Sequence, residues 1–399
     1  MKGSNKDIKI GGGAFSNVYA KSHNSTKVVK KYMEGDLEDA DKEISILRTI
    51  KNNRKKFKQI FTEELGYSCK SSLITIKDFY LESDNTIACI VFKRYICDLY
   101  SLNKEYILST GEPMDIQIAL YIYHKIMLGI SELEFNGIIH GDLKPENVVI
   151  GIKKNMNKKD KPSNTNQLVE FIKKNSVKKN GINYIISNIE VKIIDFNKIV
   201  PTSSYIKDTR IQTIYYTPPE IILGNIGYNN SVDIWTAGCI LYELLTGRHL
   251  FNIGNKKYCF SEEEYDGEDG GEGGEDDGED CGEEGSDCDS RGSSEEDSGR
   301  DREDFEHLAL LHIYFDLLGE MPKEILNDPG VSGQVRDIFF SNGRLMGTQW
   351  RGSGNCYKRD FDKFNNYIDM IFERTFKYNY KDRLTIREYY ELYIRNRQG

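Results

Sequence analysis

The residues able to do chemistry in this 399-residue chain concentrate in two short segments. Ile138-Ile139-His140-Gly141-Asp142-Leu143-Lys144-Pro145-Glu146-Asn147 sets an aspartate, a lysine two residues on and an asparagine five residues on in one stretch. Val191-Lys192-Ile193-Ile194-Asp195-Phe196-Asn197 brings a second aspartate to the end of an apolar strand. The first aspartate can accept a hydroxyl proton and the lysine can contact a phosphate. The asparagine and the second aspartate offer the hard oxygen ligands that magnesium takes. Two upstream segments fit the same chemistry. Gly11-Gly12-Gly13-Ala14-Phe15-Ser16-Asn17-Val18 reads G-x-G-x-x-S-x-V, and glycines there let a backbone approach phosphate oxygens with no Cβ in the way. Alone, that run fits a simple turn equally well. Lys27-Val28-Val29-Lys30-Lys31-Tyr32 then offers an ammonium on a strand, and Glu43 a carboxylate on the next helix. Such a pair can position the α- and β-phosphates of a nucleotide. Lys30 leaves room for a complete hairpin after Gly11 and is favoured, with Lys27 as the alternative.

The elements that must hold these residues can be read from periodicity. Ile8 to Tyr19 alternates in the manner of strands and is broken by the three glycines, and a short apolar strand follows around Val28-Val29. Glu38 to Ile50 reads as a helix with Ile44, Leu47 and Ile50 on one face. Ile74 to Tyr80 and Thr86 to Phe92 read as two more strands. From Asp115 onward Ile118, Ile122, Ile126, Ile130 and Leu133 recur at helical spacing until Asn136-Gly137 stops them. Asp233 to Leu245 and Phe361 to Phe376 are further helical stretches. The fold class is α+β, bilobal, with a small β-rich lobe carrying one main helix and a larger helical lobe.

In their order these segments resemble a eukaryotic protein kinase of the serine/threonine type, over about Ile8 to Tyr393. The resemblance makes Asp142 the catalytic base, Lys144 the γ-phosphate contact, Asn147 and Asp195 the magnesium ligands, and Lys30 with Glu43 an ion pair. It puts ATP against Ile10, Gly11, Gly12, Gly13, Ala14, Phe15, Ser16, Asn17 and Val18. Ile90 to Leu99 resembles the hinge, with Phe92 as gatekeeper, backbone groups of Lys93 and Tyr95 facing adenine, and Asp98 near the ribose. Thr217-Pro218-Pro219-Glu220 matches the end of an activation segment, where Glu220 should pair with Arg383, and Asp233-Ile234-Trp235 matches the helix that anchors the catalytic loop. Phe15-Ser16, Ile211-Gln212-Thr213, Gly227-Tyr228-Asn229 and Thr246-Gly247-Arg248-His249-Leu250-Phe251 are most similar to the SR-protein kinases of the CMGC group. That resemblance implies ATP and Mg2+ as cofactors, arginine/serine-rich protein substrates such as splicing factors, a role in mRNA processing, a monomer, and residence in the cytoplasm or nucleus. It implies no direct nucleic-acid binding. Two other readings stand beside it: a cyclin-dependent-like or dual-specificity-like kinase with other substrates, and a pseudokinase scaffold.

Composition bounds the rest. No run of about 18 apolar residues suggests a membrane helix, the first residues lack the apolar stretch of a secretory signal, and eight cysteines without C-x-x-C spacing read as free thiols in a reducing compartment. The formal charge of −9 hides a division. Glu262 to Asp304 holds 22 acidic residues against Arg291, Arg300 and Arg302, a net −19, so the other 356 residues sum to +10. That segment has too little apolar surface to offset the entropy of ordering and is expected to be disordered. The expected plan is a tail (1–7), the small lobe and hinge (8–98), the large lobe (99–393) and a second tail (394–399). The large lobe carries a disordered Lys/Asn-rich insertion at 153–188 and the acidic one at 255–304. Three positions depart from the kinase pattern. Gly141 replaces the usual arginine, which implies activity without activation-loop phosphorylation. Asn197 replaces a glycine and is expected to take φ > 0. Arg344 puts a cation where the SR-protein kinases carry an acidic docking residue.

Overall fold

The computed structural model describes residues 7–13, 15–23, 25–66, 69–83, 85–153, 156, 160–176, 188–202, 213–224, 229–253, 295–331, 333–341, 344–345 and 365–398. Strands β1 (Ile8–Gly12), β2 (Ser16–Ala20), β3 (Lys27–Tyr32), β4 (Asp78–Glu82) and β5 (Ile87–Lys93) form one antiparallel sheet in the order β1-β2-β3-β5-β4. The register sets Lys30 opposite Val18 on one side and Ile90 on the other. Side chains alternate along a strand, so Lys30 and Tyr32 share one face while Val29 packs with Cys89 and Val91 on the other.

Helix α1 (Leu37–Leu65) runs for 29 residues and stops at Gly66, whose φ of 63° is the left-handed conformation that suits glycine. Its buried residues are Ala40, Glu43, Ile44, Leu47 and Ile50, then Phe57 and Phe61. The sequence reading ends this helix at Ile50, because Lys51 to Lys56 is wholly polar and hides the second apolar group.

The second lobe opens with β6 (Cys97–Asp98), α2 (Leu99–Thr110) and α3 (Ile116–Phe135). Strands β7 (Ile138–Ile139), β8 (Val148–Ile152), β9 (Ile189–Ile193) and β10 (Val200–Pro201) follow, with α4 (Thr165–Ser176) between β8 and β9. Order β6-β8-β9 makes a three-stranded sheet, and β7 pairs with β10. Then come α5 (Pro219–Ile222), α6 (Ser231–Thr246), α7 (Glu295–Leu318), α8 (Lys323–Leu326), α9 (Gly333–Phe339), α10 (Asn366–Thr375) and α11 (Ile386–Gln398). Helix α6 is buried along its whole length, with Trp235 stacked on Phe251 at 5.2 Å and edge-on to Phe376 at 5.1 Å. Burial of each large apolar side chain contributes about 1.5–3 kcal/mol, so this aromatic cluster makes α6 a rigid platform.

Four expectations are corrected. The Lys/Asn-rich stretch is not wholly disordered: α4 lies inside it, with Leu168, Val169 and Ile172 fully buried, because their spacing gives the helix an apolar face despite the lysines around it. Helix α7 begins at Glu295, within the segment expected to be disordered, while 255–294 lies outside the described residues. The strand expected from Ile74 starts at Asp78; Ile74 and Ile76 are buried in irregular chain, where the Ile74 N–H donates to Ile193 O at 3.0 Å. The last helical stretch starts at Asn366 with Asn365 as its cap, and 361–364 lies outside the described residues. Among the described residues no helix is long and apolar enough to cross a membrane.

Candidate functional site

Lys30 is buried, and its Nζ lies 2.9 Å from Glu43 Oε2 and 2.8 Å from Asp195 Oδ1. Burial alone would push this ammonium down, yet the Glu43 and Asp195 carboxylates and the hydrogen bonds to both hold it above its ordinary range. Lys27, three residues earlier, is exposed at the start of β3. Burial would likewise raise the Asp195 carboxyl, but Lys30, with smaller help from His140 and Lys144, holds it below the ordinary carboxylate range. Asp195 has φ 66°, a left-handed conformation that aspartate tolerates better than most residues and that turns the chain sharply after β9. Glu43 completes the cluster: its Oε1 accepts the Phe196 N–H at 3.3 Å, and its Oε2 also accepts the Tyr32 hydroxyl.

The loop after β7 is fixed from beneath by Asp233 of α6, a fully buried carboxylate that accepts the N–H groups of His140 (2.7 Å) and Gly141 (3.2 Å). Burial pushes Asp233 up, opposed by His140 and by these hydrogen bonds. His140 Nε2 lies 3.0 Å from the Ile194 carbonyl, which can only accept, so Nε2 carries the proton and Nδ1 accepts the Asp142 N–H at 3.3 Å. The Asp142 carbonyl accepts from Asn147 Nδ2 at 2.8 Å. Lys144 Nζ stands 3.4 Å from Asp142 Oδ2, and Lys198 Nζ 3.8 Å. Asp142 Oδ1 is buried and has no hydrogen-bond partner among the described residues. A buried acceptor left open in this way is suited to a hydroxyl brought in from outside.

Asn147 and Asp195 fit a magnesium ion in kind: both offer oxygen, and the Asp195 side chain keeps 37% exposure. No cluster of three His, Cys, Asp or Glu side chains able to hold a metal exists among the described residues. Such an ion would therefore need oxygens from a phosphate-bearing ligand, the usual habit of magnesium.

The remaining sequence candidates are distributed around this centre. Ile10 to Gly13 and Phe15 to Val18 form β1, β2 and their turn, where the Gly13 N–H donates to Ser16 O at 2.9 Å; Ala14 lies outside the described residues. Asn17 Oδ1 would lie 2.4 Å from a Cβ at Gly12, so that glycine makes room for the Asn17 side chain. Phe92 is buried on β5. Lys93 and Tyr95 both turn their side chains to Glu190, Tyr95 Oη at 3.4 Å from Oε1, and the Tyr95 ring packs on Gly151. Asp98, expected near a ribose, is the N-cap of α2: its oxygens accept the Ser101 N–H at 2.7 Å and the Ser101 hydroxyl at 3.0 Å. Glu220 and Arg383 form a buried bidentate pair at 2.5 and 2.6 Å.

The departures from pattern also have physical accounts. Gly141 takes φ 74°, and a Cβ there would sit 2.6 Å from the Lys198 carbonyl, so an arginine is excluded by both strain and contact. Asn197 is not among the described non-glycine residues with positive φ, which are Ser83, Asn85 and Asp195; the left-handed turn falls two residues earlier than expected. Arg344 pairs with Ser341 across a two-stranded ladder, while its neighbour Gly343 lies outside the described residues, as do Ile211, Gln212, Gly227 and Tyr228. Tyr32 and Lys198 were missed as site residues. Tyr32 alone had a signal, lying two residues after Lys30 and so on the same face of β3.

A family model described as "Protein kinase domain" matches residues 4–267. Over 218 residues, 53% of the chain, the sequence is 30% identical to a probable dual specificity protein kinase YAK1 homolog of Encephalitozoon cuniculi, 44% of which is covered. It is 26% identical over 216 residues to homeodomain-interacting protein kinase 1 of Caenorhabditis elegans, covering 54% of this chain and 20% of the relative. With a probable cyclin-dependent serine/threonine-protein kinase of Dictyostelium discoideum it shares 24% identity over 246 residues, 62% of this chain and 14% of the relative. The chain thus spans less than half the length of each of these curated relatives.

Proposed function

The chain belongs to the protein kinase family, and from that premise we propose that it transfers the γ-phosphoryl group of ATP to serine or threonine hydroxyls of proteins. The observation that carries this reading is the open Oδ1 of Asp142, buried beside Asn147 and Lys144. A substrate hydroxyl directed at the γ-phosphorus gives its proton to Oδ1 as the new P–O bond forms and the bond to the β–γ bridging oxygen breaks. Lys144 stands next to the transferred group, and Lys30, aimed by Glu43, holds the α- and β-phosphates. Asn147 and Asp195 would hold magnesium, which supplies neutralisation of phosphate charge when bound. Positioning and electrostatics then account for most of the acceleration.

For substrates we propose arginine/serine-rich proteins, with a place in mRNA processing, in the cytoplasm or the nucleus, and with the chain acting as a monomer. What supports this is the set of SR-protein kinase resemblances and the net −19 of Glu262 to Asp304, which can attract arginine-rich tails. The 30% identity to a relative named as dual-specificity favours a second reading, in which tyrosine is also an acceptor. An array of arginine/serine, acidic, proline-directed and tyrosine peptides, run with Asp142→Asn as control, separates the two. We expect Asp142→Asn to lose at least about 1000-fold in kcat while keeping ATP affinity. Undiminished turnover in that variant overturns the kinase assignment, and equal rates on all peptides overturn the substrate preference.

A further inference from the structure

A residue on the Lys30 strand and one of the departures from the kinase pattern meet in this chain. Tyr32 stands two residues after Lys30 on the same face of β3, and Asn197 stands where a glycine is usual. They are 165 residues apart in sequence, and Tyr32 Oη lies 2.6 Å from Asn197 Oδ1. The same hydroxyl also bonds Glu43 Oε2.

We propose that Tyr32 is a positioning residue for phosphoryl transfer: its hydroxyl ties Glu43 of α1 to Asn197, so that the helix and the segment carrying Asp195 hold one alignment. The proposal rests on the kinase reading of the site. A phenol has a single proton, and the carboxylate of Glu43 is the stronger acceptor, so the hydroxyl donates to Glu43. Asn197 presents Oδ1 to the phenol, and a half-turn of its amide, which exchanges Oδ1 for Nδ2 with no other change, lets its NH2 donate to the phenol oxygen and leaves neither partner short of a proton. Burial and the Glu43 carboxylate both push the Tyr32 phenol up, which keeps it protonated and able to donate. Glu43 thereby gathers Lys30 from β3, Tyr32 from β3 and the Phe196 N–H from the Asp195 segment. Asn197 adds a second tie between the same two elements. Its backbone does not use the left-handed conformation that would call for glycine, so a side chain is tolerated there and Tyr32 gives it a partner. Glycine has no atom that could make this contact.

A double-mutant cycle tests the pair: Tyr32→Phe, which removes only the hydroxyl, Asn197→Gly, which removes only the amide, and both together. Steady-state kinetics on ATP and a peptide substrate are read beside amide exchange over residues 37–50 and 189–198. Tyr32→Phe should lower kcat about tenfold, the kinetic equivalent of one hydrogen bond to a charged group, with KM for ATP changed less than about twofold. Exchange should quicken in both segments, and the double variant should be no worse than the more impaired single variant. A purely structural role for Tyr32 would lower the melting temperature and leave the kcat-to-KM pattern of the remaining folded enzyme unchanged. Wild-type kcat in Tyr32→Phe, or costs that multiply in the double variant, overturns the proposal. If the wild type transfers no phosphate to any peptide, the kinase reading fails by itself. The exchange cycle then decides the Tyr32–Asn197 tie alone, and unchanged exchange in Tyr32→Phe refutes it.

Discussion

Glu43 in the first half of α1 and Arg54 in the second are about three helical turns apart; Glu43 reaches Lys30 and Tyr32 of β3, and Arg54 reaches Glu132 of α3. The first half meets groups for which a nucleotide role is proposed: Lys30, and the Phe196 N–H beside Asp195. Contacts of the second half have no part in that chemistry. Arg54 Nε donates to the fully buried Glu132 of α3 at 2.9 Å, Asn53 Nδ2 donates to Asn136 at 2.9 Å, Phe57 packs on Phe135 at 5.6 Å, and Phe61 meets Tyr390 of α11 edge-on at 4.8 Å. The near half aims a carboxylate, and the far half holds the helix that carries it. Glu43 is consequently placed by packing against the large lobe as well as by its ion pair.

If the halves divide the work in this way, damage to each should show in a different measurement. Arg54→Ala leaves Glu132 charged in a buried site, which costs about 3–4 kcal/mol. The melting temperature should fall by several degrees while kcat of the folded enzyme, measured well below it, changes less than threefold. A large loss of kcat with no loss of stability would collapse the distinction. Glu43→Gln should do the reverse. It removes the charge that Lys30, Tyr32 and Phe196 share, and kcat/KM should drop about 100-fold, equivalent to about 2.7 kcal/mol of transition-state stabilisation. Thermal unfolding should move by only a few degrees. A comparable fall in stability would show that the near half is structural too.

These two variants also mark what the sequence could disclose. Asp142, Asn147 and Glu43 were legible because each lies in a local pattern: a loop of fixed spacing, or an apolar stripe with one carboxylate in it. The far half of α1 was not, since Phe57 and Phe61 are separated from Ile50 by a run of polar residues, and their partners Phe135 and Tyr390 come from distant parts of the chain. Helix α4 was hidden for a similar reason, its three buried apolar residues set in a stretch of lysines that composition weighs more heavily. The reason for Gly141 was out of reach because it is the Lys198 carbonyl, brought close only by the fold. At Asp98 the structure adds a role the motif did not name: the carboxylate expected near a ribose caps α2.

A buried lysine in the first region and a half-buried one in the second sharpen the contrast further, because they sit in opposite electrostatic states. Near the first half, Lys30 is carried above its ordinary range by two carboxylates that bond it. Near Arg54, burial pushes the Lys192 ammonium down to about 8, with Glu190 and Glu132 partly restoring it and Arg54 and Lys93 lowering it again. Its Nζ donates to the Ser71 carbonyl. The sign follows from linkage. Below pH 8 the folded and unfolded chains both hold the proton, and the folded state bears the full cost of the buried charge. Between about 8 and the ordinary value near 10.5 the folded state has released the proton while the unfolded chain keeps it, so stability rises with pH. Above that range the cost is gone. Lys192→Met should therefore stabilise the protein by about 1–2 kcal/mol at pH 7, after allowing for the donor lost to Ser71. The gain should shrink toward zero above pH 10, read as the difference in urea midpoints between wild type and variant. The matching change at Lys30, Lys30→Met, should show no such gain at pH 7, because there the ammonium is stabilised by its partners. A gain at Lys192 of equal size at pH 7 and pH 10 would mean that methionine packs better and that the charge beneath the far half of α1 costs nothing.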